Sequence, residues 1–182
     1  GKRIADPVLA PGGLLCCVVC AGDDYNNELD EIVALDAQTL QPHHRFGRSL
    51  LDCVCAMVVA GEELFVCDKN NDRLQVFSLA GEHRRSITGE WKRPQALCFV
   101  KDRLYLIEEA DKEDEEGDLT YPLRGRRIFV LSLQGETLQV YTHPVEGQAF
   151  SDGLCCFDGK LLAPSRVWCL SVSKEVVALC GV

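Results

Sequence analysis

Apolar residues in this chain recur in runs of strand length, and the runs come in a fixed order. One set reads "EIVALDAQTL" (31–40), "RLQVFSLAGE" (73–82), "RIFVLSLQGE" (127–136) and "RVWCLSVSKE" (166–175). Its first apolar positions are Ile32, Leu74, Ile128 and Val167, separated by 42, 54 and 39 residues. The long interval holds an insert at 109–124, so the underlying period is about 40 residues. A second set precedes it: "GGLLCCVV" (12–19), "GEELFVCD" (61–68), "KDRLYLIEE" (101–109) and "DGKLLAPS" (158–165). Before those stand "CAMVVA" (55–60), "QALCFV" (95–100) and "GLCCF" (153–157). A more polar set follows each anchor: "LQPHHRF" (40–46), "EHRRSIT" (82–88) and "ETLQVYT" (136–142). Each unit therefore holds four strand-length segments bounded by Gly, Asp and Asn.

The third segment of each unit is apolar on both faces. Side chains alternate along a strand, so Leu74 and Val76 point one way while Phe77 and Leu79 point the other. Such a strand must be covered on both sides. Four-stranded antiparallel units stacked face to face at a period near 40 residues predict an all-β chain, a β-propeller. The blades fall at about 7–46, 53–88, 95–142 and 153–179. The polar fourth segment suits an outer edge, where Arg84 and Arg85 oppose edge pairing.

Composition changes this picture little. The chain has 182 residues, 47% hydrophobic and 26% charged, ordinary values for a globular domain. No stretch approaches the ~18 apolar residues of a membrane span. The chain starts at Gly1 after no basic leader and reads as a piece of a longer protein. Eleven cysteines is an odd and high count. Cys16, Cys17, Cys20, Cys53, Cys55, Cys67, Cys98, Cys155, Cys156 and Cys169 lie in apolar runs, where free thiols act as small buried hydrophobes. Reduced thiols point to a cytoplasmic location. "CVVC" (17–20) has zinc spacing, but no second such pair follows it.

"LFVCDKNNDRLQVFSLAGEHRRSITG" resembles the NHL repeat: an apolar strand, Asp, an Asn-rich turn, Arg-Ile-Gln-Val-Phe, then a Gly turn. "RPQALCFVKDRLYLIEE" is similar to the start of the next repeat. The resemblance is strongest over 61–108. The third repeat lacks the Asn-rich turn, and the first carries Glu31 where the motif has Arg. NHL propellers commonly have six blades, so the resemblance implies about four NHL-like repeats of a six-bladed ring. It also implies a non-catalytic platform for protein partners. In some relatives such a platform is the substrate-recognition part of a ubiquitin ligase. An incomplete ring leaves blade faces uncovered, which predicts self-association.

Antiparallel four-stranded units put the second-to-third and fourth-to-first connections at one end. Blade two supplies Asp68, Asn70, Asn71 and Asp72 there, and the next connection supplies Trp91. Trp91, inside "GEWKRP", reads either as an exposed recognition aromatic or as core; Trp168, mid-strand, reads as core. The insert "EEADKEDEEGD" (108–118) adds eight acids and one Lys, a net of −7 against −9 for the chain. Glu113, Asp114, Glu115 and Glu116 make this end a docking surface for a basic protein partner. It is no EF-hand, because Gly117 falls at the seventh position from Asp111 and the loop needs Gly at six.

Two other activities make different demands on the residues. RNA binding needs clustered cations facing phosphates. His43, His44, Arg45, Arg48, His83, Arg84 and Arg85 fall instead on outer strands, and Arg124, Arg126 and Arg127 adjoin the acidic insert. Nucleic acid is therefore a poor fit. "FSDGLCCFDGKLLAP" (150–164) is similar to a blade start of the gluconolactonase and regucalcin-like propellers. That likeness implies Asp152 as a ligand for a divalent cation that activates water for lactone or ester hydrolysis. The matching position of the preceding blade is Gln95, a poor ligand, and Asp52 lies near the first. Asp152-Gly153 also reads as a simple turn. His143 and Ser151 lack a third group for a triad. No cofactor is expected.

Overall fold

A computed structural model describes residues 3–20, 30–110, 125–144, 149–150, 154–157, 160–162, 168–172 and 177–181. Side chains are described from Asp6 to Val19 and, for the later stretches, up to Leu154. Every regular element among these residues is a strand or a single 3₁₀ turn. No helix among them is long and apolar enough to cross a membrane. The chain divides into two compact units, Gly1–Thr88 and Gly89–Val182.

Unit one holds two four-stranded antiparallel sheets. The first comprises β1 (Arg3–Ala10), β2 (Leu14–Cys20), β3 (Asp30–Asp36) and β4 (Pro42–Leu51); the second comprises β5 (Val54–Ala60), β6 (Glu63–Asp68), β7 (Arg73–Ser78) and β8 (His83–Thr88). Neighbours in sequence are neighbours in each sheet. The first sheet is wider than 7–46 at both ends. Asp6-Pro7 looks like a strand boundary, yet β1 passes through it as a bulge with Asp6 at φ 48°. Gly47, at φ 83°, likewise lets β4 continue to Leu51.

Alternation along the strands decides the core of this unit. Cys16, Val18, Ile32 and Ala34 of the first sheet pack on Leu51, Val54, Met57, Leu64, Val66 and Phe77. A fully buried Leu, Ile or Phe contributes about 1.5–3 kcal/mol of transfer free energy. An exposed pair such as Arg84–Glu82 contributes about 0–1 kcal/mol, so apolar stacking dominates. Leu74 and Val76, fully buried, alternate with Phe77 as the sequence pattern predicts. At the turn from β7 to β8, Gly81 sits at φ 88°, and a Cβ there would lie 2.8 Å from the Phe46 ring. Strand β8 is the outer edge and is mostly exposed, with Arg84 and Arg85 on it.

Polar contacts also tie the sheets of unit one together. Asp30, at the start of β3 and 8% exposed, accepts the Val54 N–H at the start of β5, at 2.6 Å. Asp30→Ala would leave that buried donor without its acceptor. We expect a loss of about 1–3 kcal/mol by urea denaturation, with Asp30→Asn costing less.

Unit two begins with a third sheet: β9 (Pro94–Val100), β10 (Arg103–Glu108), β11 (Arg127–Leu131) and β12 (Thr137–Thr142). A fourth sheet follows with the same order: β13 (Cys155–Phe157), β14 (Lys160–Leu162), β15 (Trp168–Val172) and β16 (Val177–Gly181). One face of the third sheet buries Ala96, Cys98, Tyr105, Ile107, Ile128 and Val130 around Phe150, with Leu154 packed beside them. The Trp168 side chain lies outside the described residues.

Candidate functional site

The end of the second sheet that carries the Asn-rich turn is built from two connections. Asp68 closes β6, a 3₁₀ turn spans Lys69–Asn71, Asp72 is left-handed at φ 53°, and Arg73 opens β7. The Asp68 carboxylate is wholly buried and does not cap this turn. Its Oδ1 accepts the Asp52 N–H (2.8 Å) and Asn71 Nδ2 (2.9 Å); its Oδ2 accepts Arg73 Nε (2.7 Å). Arg73 Nη2 then donates to Leu50 O at 3.0 Å. Asn70 completes the clasp: its N–H reaches Asp52 O, and its Nδ2 reaches Asp52 Oδ1 at 2.9 Å. Lys69 N–H donates to Cys53 O. The β6–β7 turn and the β4–β5 connection are therefore one stitched end, as antiparallel four-stranded topology requires.

The third sheet repeats the device with a longer side chain. Glu108 closes β10 and is 1% exposed; Arg127 opens β11. Glu108 Oε1 accepts the Lys92 N–H and Arg127 Nη2, both at 2.8 Å, and Oε2 accepts Arg127 Nε at 3.0 Å. Arg93 pairs with Glu109, whose N–H donates to Arg93 O. The Arg127 guanidinium lies 4.8 Å from the Phe129 ring centroid. An acid at the end of the second strand meets an Arg at the start of the third in both sheets. The connection between them differs greatly in length: Asp68 to Arg73 in one, Glu108 to Arg127 in the other.

Several sequence expectations change here. Trp91 is not a surface aromatic. It is fully buried, edge-on to Phe129 with ring centroids 5.8 Å apart. Asp68 is internal and committed to the clasp, so it is closed to a partner. Asn70 and Asn71 are exposed and Asp72 is half-buried. Glu108 and Glu109 belong to the sheet end and are paired with Arg127 and Arg93, rather than to a solvated insert. Glu113, Asp114, Glu115 and Glu116 lie outside the described residues, as does Asp152. Asp52 accepts from Asn70. His143 is buried against Phe150, ring centroids 4.9 Å apart. Among the described residues no group of three or more His, Cys, Asp or Glu converges on a metal position. On the outer strands Arg45 pairs with Glu31 and Arg85 with Glu63, which neutralises part of the basic stretches.

Sequence reading missed Asp30, the Glu108–Arg127 pair and the closeness of two thiols, Cys53 and Cys55. The first two carry a readable signal, an acid directly at a strand end. The thiol pair carries none beyond its Cys-Val-Cys spacing.

No family model matches the sequence, and no curated protein sequence matches it either. Solved structures do resemble it in shape. The WD40 repeats of RRP9 superpose with TM-score 0.63 at 13% identity, over 98% of this chain and 51% of that one. A chain of the nidogen/laminin complex gives 0.67 at 14% identity, over 93% and 61%. WD40 repeats form propeller blades of four strands. The fold is that of a β-propeller. The computationally designed Ika4 protein is also similar, with TM-score 0.60 at 15% identity, over 100% of this chain and 92% of that one. The chain spans 51% and 61% of these two natural chains, and each of its four-stranded sheets has the strand order of a propeller blade.

Proposed function

We propose that this chain is the NHL-type part of a larger propeller and works as a non-catalytic protein-interaction scaffold. The observation that carries the reading is the stitched end of blade two. The motif's Asp68 and Arg73 are spent holding two connections together, and the exposed Asn70 and Asn71 are presented on that rigid base. Loops held on a stacked scaffold are where such folds place recognition. The acidic stretch 111–118, between strands β10 and β11, supplies the charge that would select a basic protein partner. The similar chain from the nidogen/laminin complex belongs to a protein–protein assembly. In the parent protein this ring would serve as a substrate-recognition part, as in a ubiquitin ligase.

Fluorescence anisotropy with a labelled Lys/Arg-rich peptide tests the proposal on the full chain. Deleting 111–118 is expected to weaken binding about tenfold, a change of about 1.4 kcal/mol. Raising salt from about 0.05 to 0.3 M should weaken wild-type binding in the same direction. Binding insensitive to both changes would remove the acidic end as the docking surface. The scaffold needs no cofactor. Stoichiometric calcium, zinc or manganese binding that disappears in Asp152→Ala would favour a metal-dependent hydrolase instead.

A further inference from the structure

Cys53 in the β4–β5 connection and Cys55 near the start of β5 are two thiols that the scaffold role does not use. Cys53 and Cys55 flank Val54, whose N–H is held by Asp30 and whose side chain enters the core of unit one. Both are half-buried, whereas Cys16, Cys17, Cys67 and Cys98 are buried. Their Sγ atoms are 4.0 Å apart. Residues two apart in a regular strand are about 6.6 Å apart along it. Here Cys53 is left-handed at φ 59°, and a bulge follows between Val54 and Met57, which allows the closer approach.

The two sulfurs are not equivalent. The Cys55 S–H lies within reach of Cys53 O (3.6 Å) and of the Cys53 sulfur. That hydrogen bond to Cys53, with burial, raises the Cys55 thiol well above its ordinary value, while the Lys69 cation pulls the other way. A proton held on Cys55 toward Cys53 O leaves Cys53 as the sulfur that attacks first.

We propose that Cys53 and Cys55 form a reversible dithiol–disulfide site whose co-substrate is a low-molecular-weight disulfide. The Cys53 thiolate attacks one sulfur of that disulfide, forming a mixed disulfide and expelling one small thiolate. Cys55 gives its proton to that thiolate and attacks Cys53 Sγ, expelling the second small thiolate, which takes the proton lost by Cys53. The protein loses two electrons and two protons; the small disulfide gains both and leaves as two thiols. The sulfurs must close from 4.0 Å to about 2.05 Å. The Cys53 backbone carbonyl accepts the Lys69 N–H, so the site sits on the clasp of the connection end.

Exchange with oxidised glutathione, followed by alkylation and peptide mass mapping, tests this on the full chain. Trypsin releases Cys53, Cys55 and Cys67 together in peptide 49–69, and fragmentation separates them. The wild type should lose alkylation at Cys53 and Cys55 together, retain no glutathione, and keep Cys67 alkylatable. Cys55→Ser should hold one glutathione on Cys53. Cys53→Ser should react at least about tenfold more slowly than Cys55→Ser. Alanine at either position repeats the comparison, and thermal midpoints confirm that each variant is folded. Glutathione retained on the wild type, a bond to Cys67, or equal rates for the two serine variants would overturn the assignment.

Discussion

Replacing Arg127 by Met is expected to cost unit two about 3–5 kcal/mol of stability. Glu108 has no exposed side-chain surface, whereas Arg127 keeps 22%. Removing the cation leaves a buried carboxylate that still accepts the Lys92 N–H at 2.8 Å. The Glu108 carboxylate, with no exposed side-chain surface, then keeps its charge in a poor dielectric without the Arg127 guanidinium. The stranded carboxyl would bind its proton more tightly when folded than when unfolded. A raised folded-state affinity contributes stability below the ordinary Glu value of about 4.3 and loses it as pH rises above that. The deficit of Arg127→Met should therefore be smaller near pH 4 than at pH 7. Urea denaturation at the two pH values reads both effects. Adding Glu108→Leu should recover most of the loss, because a buried pair replaced by apolar groups of similar size is often neutral. A single-variant cost under about 1 kcal/mol would mean that solvent screens the pair as it does surface pairs.

The second large effect concerns Trp91. Trp91→Ala is expected to destabilise unit two by about 3–5 kcal/mol, the range for a wholly buried large aromatic. The same variant should leave peptide binding by folded protein unchanged, which separates a core residue from a recognition aromatic. Unchanged stability with lost binding would reverse that assignment. Gly89 supplies an internal check. A Cβ there would lie 2.0, 2.3 and 2.5 Å from three atoms of the Trp91 ring. Gly89→Ala alone should cost about 1–3 kcal/mol through overpacking. In the Trp91→Ala background that penalty should vanish, a coupling that a double-mutant cycle measures directly.

The architecture was legible because it rests on short-range rules. A strand with apolar residues on both faces, such as Arg73–Ser78, has to be covered twice, and a period near 40 residues repeats the requirement. Turn residues between the runs set strand number and hence which connections share an end. The Asp68 and Arg73 positions were legible as motif letters. Their pairing was not, since two residues flanking a turn read equally well as a solvated ligand cluster. Trp91 shows the same limit from the other side. "GEWKRP" is a charged context, and it is the packing of Phe129 and the missing Cβ of Gly89 that let the ring become interior.

By itself, then, the sequence determined strand count, order, antiparallel pairing and the acidic balance of the chain, because these follow from alternation, turn chemistry and composition. Tertiary structure alone decided the fate of individual polar groups. Asp68 and Glu108 are sealed pairs, Trp91 is core, and Cys53 and Cys55 approach to 4.0 Å. The physical reason is that burial, charge pairing and thiol proximity depend on which side chain meets a neighbour from another connection. That meeting is fixed by bulges and left-handed residues such as Cys53 and Asp72, whose conformations no run of letters announces.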